Sequence, residues 1–151
     1  MEKIFSSKNF DFFKPEDKEL EMVFAGDILN GFPSPSEDFI QEKIDMNKVL
    51  IRHSEATFIA RAKGFSNYPL ISPNDLVIID KAEEWEHDKL CICFINGDFN
   101  AKWIEKKDGI IRLLPFNEGF PLITVDSSNE FIIWGIVTWI LHKPHGRPHR
   151  L

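Results

Sequence analysis

Leu90-Cys91-Ile92-Cys93-Phe94-Ile95-Asn96-Gly97-Asp98-Phe99-Asn100-Ala101-Lys102-Trp103-Ile104-Glu105 is the stretch that decides the fold. Two runs rich in β-branched, aromatic and other apolar residues flank Asn96-Gly97-Asp98, whose Asn-Gly pair tolerates the left-handed backbone of a tight hairpin turn. The pattern predicts strands over 90–95 and 99–105. Lys107-Asp108-Gly109 separates the second strand from the run 110–114 in the same way, so a meander is expected.

Further out, residues 57–62, 76–80 and 131–141 are runs of the same kind, each bounded by turn-forming residues, and the last is the longest and most apolar. With 151 residues and 43% hydrophobic content the chain can bury one substantial core. The fold class expected is mostly β: one domain of short antiparallel strands and hairpins. Upstream, Ser36-Glu37-Asp38-Phe39 has a hydroxyl N-cap followed by acids, which predicts one short helix over about residues 37–43, with Met46 to Ile51 adding a turn. Residues 1–30 mix charge with Phe5, Phe10, Phe12, Phe13 and Phe24, and Pro15 and Gly26 interrupt any regular element. This reads as an extended N-terminal arm, too aromatic to stay solvated and therefore docked on its own domain or on a partner chain. Residues 142–151, with His142, His145 and His149 among prolines, read as a flexible tail, leaving 31–141 as the domain.

Composition removes several function classes. A formal charge of −6 and a pI near 5.4 give no electrostatic footprint for phosphate, so direct DNA binding is not expected. No apolar run reaches membrane-spanning length, and Met1 to Phe5 lacks the basic-then-apolar pattern of a secretory signal, which points to the cytoplasm. Cys91 and Cys93 lie two apart on one predicted strand, poorly placed to pair with each other and without a second Cys or His pair to complete a zinc site. They are expected to be buried reduced thiols. The C-terminal histidines lack acidic or cysteine companions, so no metal and no cofactor is predicted.

Three elements carry chemistry: Gly31-Phe32-Pro33-Ser34-Pro35, Ser66 within Lys63-Gly64-Phe65-Ser66-Asn67, and Lys102. A serine hydroxyl becomes a nucleophile only when a base takes its proton, and lysine is a base only when neutral. Moving a lysine pKa from about 10.4 to about 7 requires about 4–5 kcal/mol of differential solvation, which burial in apolar surroundings can supply. Strand alternation puts Lys102 on the face of Asn100 and Ile104, opposite Phe99, Ala101 and Trp103. Alternation does not say whether that face is covered, and a solvated face is the ordinary place for a strand lysine. Ser66, between Gly64-Phe65 and Asn67-Tyr68-Pro69, sits in a turn whose N–H groups could face an oxyanion, although an ordinary turn serine has the same signature.

The order and flanks of these elements are more specific than any one of them. Gly31-Phe32-Pro33-Ser34-Pro35, Ile44-Asp45-Met46-Asn47, Ala56-Thr57-Phe58, the run from Ile71 to Asp80, Gly97-Asp98-Phe99, Leu114-Pro115 with Asn117, and Trp134-Gly135-Ile136-Val137 closely resemble the UmuD proteins of the bacterial DNA-damage response, relatives of the LexA repressor. The resemblance spans about residues 30–141. It implies a LexA/UmuD-like peptidase domain that forms a homodimer and removes its own arm with a serine–lysine dyad, stimulated by the RecA filament on single-stranded DNA. Ser66 falls on the nucleophile, Lys102 on the base, and the scissile bond between Asn30 and Gly31. The shortened dimer of the family then joins an error-prone translesion polymerase, UmuC.

The chain departs from the pattern at the nucleophile. Family members usually read Gly-Asp-Ser-Met where this chain reads Gly64-Phe65-Ser66-Asn67, the loop after it is one residue shorter, and Asn30 replaces a small residue. Two readings follow: a working self-processing mutagenesis factor, or a non-cleaving dimerisation and regulatory module whose loop has lost its aim, since a misplacement of about 1 Å costs on the order of a hundredfold in rate. A repressor is disfavoured because residues 1–30 are too few for a helix-turn-helix domain, and a signal peptidase because no membrane anchor is present.

Overall fold

Ile95 pairs with Asp98 across the first hairpin, which leaves Asn96-Gly97 as the connection, with Gly97 at φ +87°. The second hairpin closes between Lys107 and Ile110 through Asp108 and Gly109, both at positive φ, as the right-handed twist of the flanking strands requires. The computed structural model describes residues 2–16, 21–24, 42–95, 97–116, 119, 121–126 and 131–144. Along the chain these form β1 (Lys3–Ser6), β2 (Phe10–Phe13), β3 (Glu21–Phe24), β4 (Glu42–Asp45), α1 (Met46–Leu50), β5 (Thr57–Ala62), β6 (Leu76–Asp80), β7 (Leu90–Ile95), β8 (Asp98–Lys107), β9 (Ile110–Leu114), β10 (Ile123–Thr124) and β11 (Phe131–Leu141). The six predicted β runs all appear, with β8 longer than expected by one residue at its start and two at its end.

One sheet has the order β1-β2-β5-β6-β11-β7-β8-β9-β10, every neighbouring pair antiparallel, while β3 and β4 form a separate ribbon. The length of β11 explains how the sheet is joined: its first half pairs with β7 and its second half with β6. At the crossover Gly135 leaves no room for a side chain, because a Cβ there would lie 2.6 Å from Ile79 Cγ2 and 3.4 Å from the Asp80 carbonyl oxygen. Gly135→Ala is expected to destabilise the fold by about 1–3 kcal/mol through overpacking, read as a lower urea midpoint.

Alternation along β7 sends its two faces into two cores. Leu90 and Ile92 join Phe10, Phe12, Ala60, Val77, Ile79 and Ala101, whereas Cys91, Cys93 and Ile95 join Ile104, Leu113 and Ile136. The two thiols are fully buried and unbridged.

Two expectations meet the structure in the N-terminal third. Residues 3–13 of the arm dock on their own domain: β2 pairs with β5 along Phe10–Phe13, and Phe12 lies 5.0 Å from both Phe99 and Trp134. Of the helix expected over 37–43, residues 37–41 lie outside the described residues, and Glu42 and Lys43 are in β4, paired with Phe24 and Val23. Strand pairing outweighs the local helix signal there. The turn expected from Met46 to Ile51 is α1, where Asp45 caps the helix by accepting the Asn47 N–H at 3.0 Å. His142 is bonded to Asp75 at 2.7 Å, while His145 and His149 lie outside the described residues.

Candidate active site

The site grows from an unpaired stretch of strand edge. β8 pairs with β7 over Asp98–Trp103 but with β9 only from Trp103 onward, so among the described residues no strand pairs with the outer side of Phe99–Ala101. An exposed edge of this kind leaves backbone donors and acceptors to be met by something else. Two asparagine side chains meet them. Asn67 Oδ1 accepts the Ala101 N–H at 3.3 Å, and Asn9 Nδ2 donates to the Phe99 carbonyl at 2.9 Å and to Asn100 Oδ1 at 3.2 Å.

Ser66 stands between these two clamps. It precedes Asn67 in the chain, and its hydroxyl donates to Asn9 Oδ1 at 3.2 Å. The loop that carries it leaves β5 through Lys63, whose N–H donates to the Asn9 carbonyl, and Gly64, at φ +70°. It then folds on itself with bonds from Tyr68 N–H to the Phe65 carbonyl and from Ile71 N–H to the Asn67 carbonyl, each 3.0 Å. Asn67 is buried and Phe65 is 71% exposed, packed edge-on against Tyr68. Of the predicted loop residues Gly64, Phe65 and Asn67, the last ties the loop to β8, and neither of the first two lines the cleft beside Ser66.

That cleft, of about 320 Å³, is lined by both Ser66 and Lys102, together with Lys8, Asn9, Asn100 and Ile123. Lys102 is 7% exposed, so the face that alternation left open is covered. It lies directly across from Cys91 in the β7–β8 register. Burial pushes its pKa below the usual lysine value, and the neighbouring thiols Cys93 and Cys91 oppose that shift in part. The same environment holds the Cys91 thiol well above the ordinary cysteine value, through its hydrogen bond with Cys93 and through burial. Ser66 and Lys102, 36 positions apart in sequence, thus reach one cleft, because Asn67 binds the residue next to Lys102. Asn30 and Gly31 lie outside the described residues.

Asn9 escaped the sequence reading, since a turn asparagine 57 positions from Ser66 carries no local signal of contact. Two other places invite comparison. A cleft of about 650 Å³ between Val49, Trp103 and Trp139 has no serine or cysteine in its lining. His53, Asp80 and Glu83 bring donor atoms within 4.8 Å of one another, but Glu83 is paired with Arg52 and Lys89, each at 3.2 Å, and Asp80 with the Ala82 N–H. Charge pairing within the protein accounts for that cluster.

Residues 22–138 match the family described as Peptidase S24-like. The chain is 37% identical over 114 residues to protein SamA of Salmonella typhimurium, an alignment covering 75% of this chain and 79% of SamA. It is 31% identical over 137 residues to protein ImpA of Salmonella typhimurium, covering 85% and 88%. The LexA repressor of Carboxydothermus hydrogenoformans is 25% identical over 122 residues, covering 79% of this chain and 59% of the repressor. Among the described residues no helix is long and apolar enough to cross a membrane. A mostly β domain with a serine and a buried lysine in one cleft, matched to this family over most of its length, belongs to the Peptidase S24-like family as a UmuD-like member.

Proposed function

We propose that the chain is a self-cleaving serine peptidase that cuts between Asn30 and Gly31 with Ser66 as nucleophile and Lys102 as base. The observation that carries this reading is the burial of Lys102 in the cleft that also holds Ser66. Neutral Lys102 takes the Ser66 hydroxyl proton as Oγ attacks the Asn30 carbonyl carbon. The resulting lysine ammonium returns the proton to the Gly31 nitrogen as the peptide bond breaks, and water then hydrolyses the Ser66 ester. Burial serves this cycle by keeping a larger share of Lys102 neutral near neutral pH.

The family role extends the reading. The processed chain acts as a homodimer in damage-induced mutagenesis, as accessory subunit of a UmuC-like translesion polymerase, with cleavage stimulated by a RecA filament on single-stranded DNA in the cytoplasm. Family membership supports this, and no step in it requires the chain to bind DNA directly.

Intact-mass spectrometry of the purified chain at pH 7.5 and pH 10, beside Ser66→Ala, tests the chemistry. Under denaturing conditions the wild type is expected to lose about one fifth of its 17.6 kDa and Ser66→Ala none. If both stay whole with a RecA filament added, the chain is instead a non-cleaving dimerisation module. The rate should rise with pH while Lys102 is being deprotonated and level off once it is neutral. A profile flat from pH 6 to 10 would rule out lysine as the base.

A further inference from the structure

The cleft shows which acceptor holds the nucleophile's proton. The Phe99 carbonyl can only accept, so the Asn9 amide must turn its NH₂ toward it and its Oδ1 toward Ser66. The Ser66 hydroxyl is therefore the donor in the Asn9–Ser66 bond. A hydroxyl has one proton, and while Asn9 holds it only the lone pairs of Oγ remain for the Lys102 side of the cleft. An amide oxygen is far too weak a base to remove that proton, so this arrangement occupies the nucleophile without activating it.

Asn9 is also held firmly. It is 9% exposed, its own carbonyl accepts from Lys63 N–H at 2.8 Å, and it heads β2, whose Phe10 and Phe12 are fully buried. The restraint thus comes from the N-terminal segment itself, anchored in the core rather than laid over the surface.

We propose that Asn9 is a positioning residue that restrains Ser66, holding its hydroxyl proton away from Lys102 until the Asn9 side chain is displaced. The proposal rests on the serine–lysine reading, and it makes departure of one side chain the step that arms the dyad.

The test follows Ser66 labelling by a fluorophosphonate together with self-cleavage, each as a function of pH, in wild type, Asn9→Ala and Asn9→Asp. Asn9→Ala should speed both processes about two- to tenfold, the worth of one neutral hydrogen bond, with the midpoint of the pH profile unmoved. Asn9→Asp keeps an acceptor on Ser66 but adds a negative charge that favours the Lys102 ammonium, so its profile should move to higher pH. The other titratable groups around the cleft, Lys8, Asp98, Cys91 and Cys93, are the same in all three chains. A merely structural Asn9 would lower the thermal midpoint without either signature. If Asn9→Ala fails to fold, the profile of Asn9→Asp decides alone, and an unmoved profile overturns the proposal. Labelling of all three chains at one rate and one pH overturns the role of Asn9 while leaving the dyad standing. Absence of labelling in every chain overturns both.

Discussion

Lys102→Met is expected to abolish self-cleavage and to make the fold more stable. Methionine matches the length of the lysine stem and fills the same apolar surroundings, between Ile104 on its own strand and Cys91 across from it. Loss of the base should slow cleavage by at least about 10²–10⁴-fold at pH 7.5, the usual contribution of general acid–base catalysis. Removal of a buried ammonium should raise stability at the same pH, because burial penalises the charged form of Lys102 in the fold. The pH dependence of that gain is specific. Burial lowers the Lys102 pKa in the fold, while the unfolded chain keeps the ordinary lysine value of about 10.4. Between the two values the unfolded state holds more protons, so the wild type becomes more stable as pH rises through that window. The advantage of Lys102→Met is therefore largest below the lowered pKa and fades as pH approaches 10.4. The raised Cys91 thiol acts in the opposite direction above about pH 8.5, where an unfolded cysteine loses its proton and the folded one keeps it. Both proteins carry that thiol, so the difference between them isolates the lysine. Urea melts of the two at pH 7, 8.5 and 10 check this, and a gap that stays constant would mean that Lys102 is not desolvated.

Phe12→Ala should cost about 3–5 kcal/mol, a large share of the roughly 5–15 kcal/mol that holds a domain of this size together. Phe12 is fully buried, stacked on Phe5 at 4.3 Å and 17°, and packed against Phe99 and Trp134. This position lies upstream of the proposed scissile bond. A consequence for processing follows. After the bond between Asn30 and Gly31 is broken, β2 remains paired with β5 along four residues and keeps Phe10 and Phe12 in the core. The first thirty residues are expected to stay attached, so that the processed protein is a nicked chain rather than a shortened one. Gel filtration of the cleaved protein should return both pieces in one peak, separating in denaturant or in Phe12→Ala. Prompt release of the small piece with an unchanged urea midpoint for the remainder would contradict the sheet order at β2–β5.

The strands and their hairpins were legible in the sequence because their causes are local. Gly97 and Asp108-Gly109 supply positive φ at the turns, and β-branched and apolar runs between them fit a sheet covered on both faces. The candidate pair Ser66 and Lys102 was legible through family resemblance, since neither residue is distinctive alone. Glu42 and Lys43, expected at the end of a helix, are in a strand because a good N-cap at Ser36 is a local preference of about 1 kcal/mol, whereas the pairing of β4 with β3 depends on residues about twenty positions away. Nor could alternation decide the environment of Lys102. It assigns a side chain to one of two faces, and only the packing of Ile104, Cys91 and Cys93 makes that face apolar and lowers the lysine's affinity for its proton. The same limit hid Asn9. The sequence determined which residues could form strands and turns, and, through the resemblance, which serine and lysine are the candidate pair. The tertiary structure decided that the N-terminal segment supplies core strands and that Asn9 holds the Ser66 proton, because both depend on contacts across more than forty positions of chain, which no local pattern encodes.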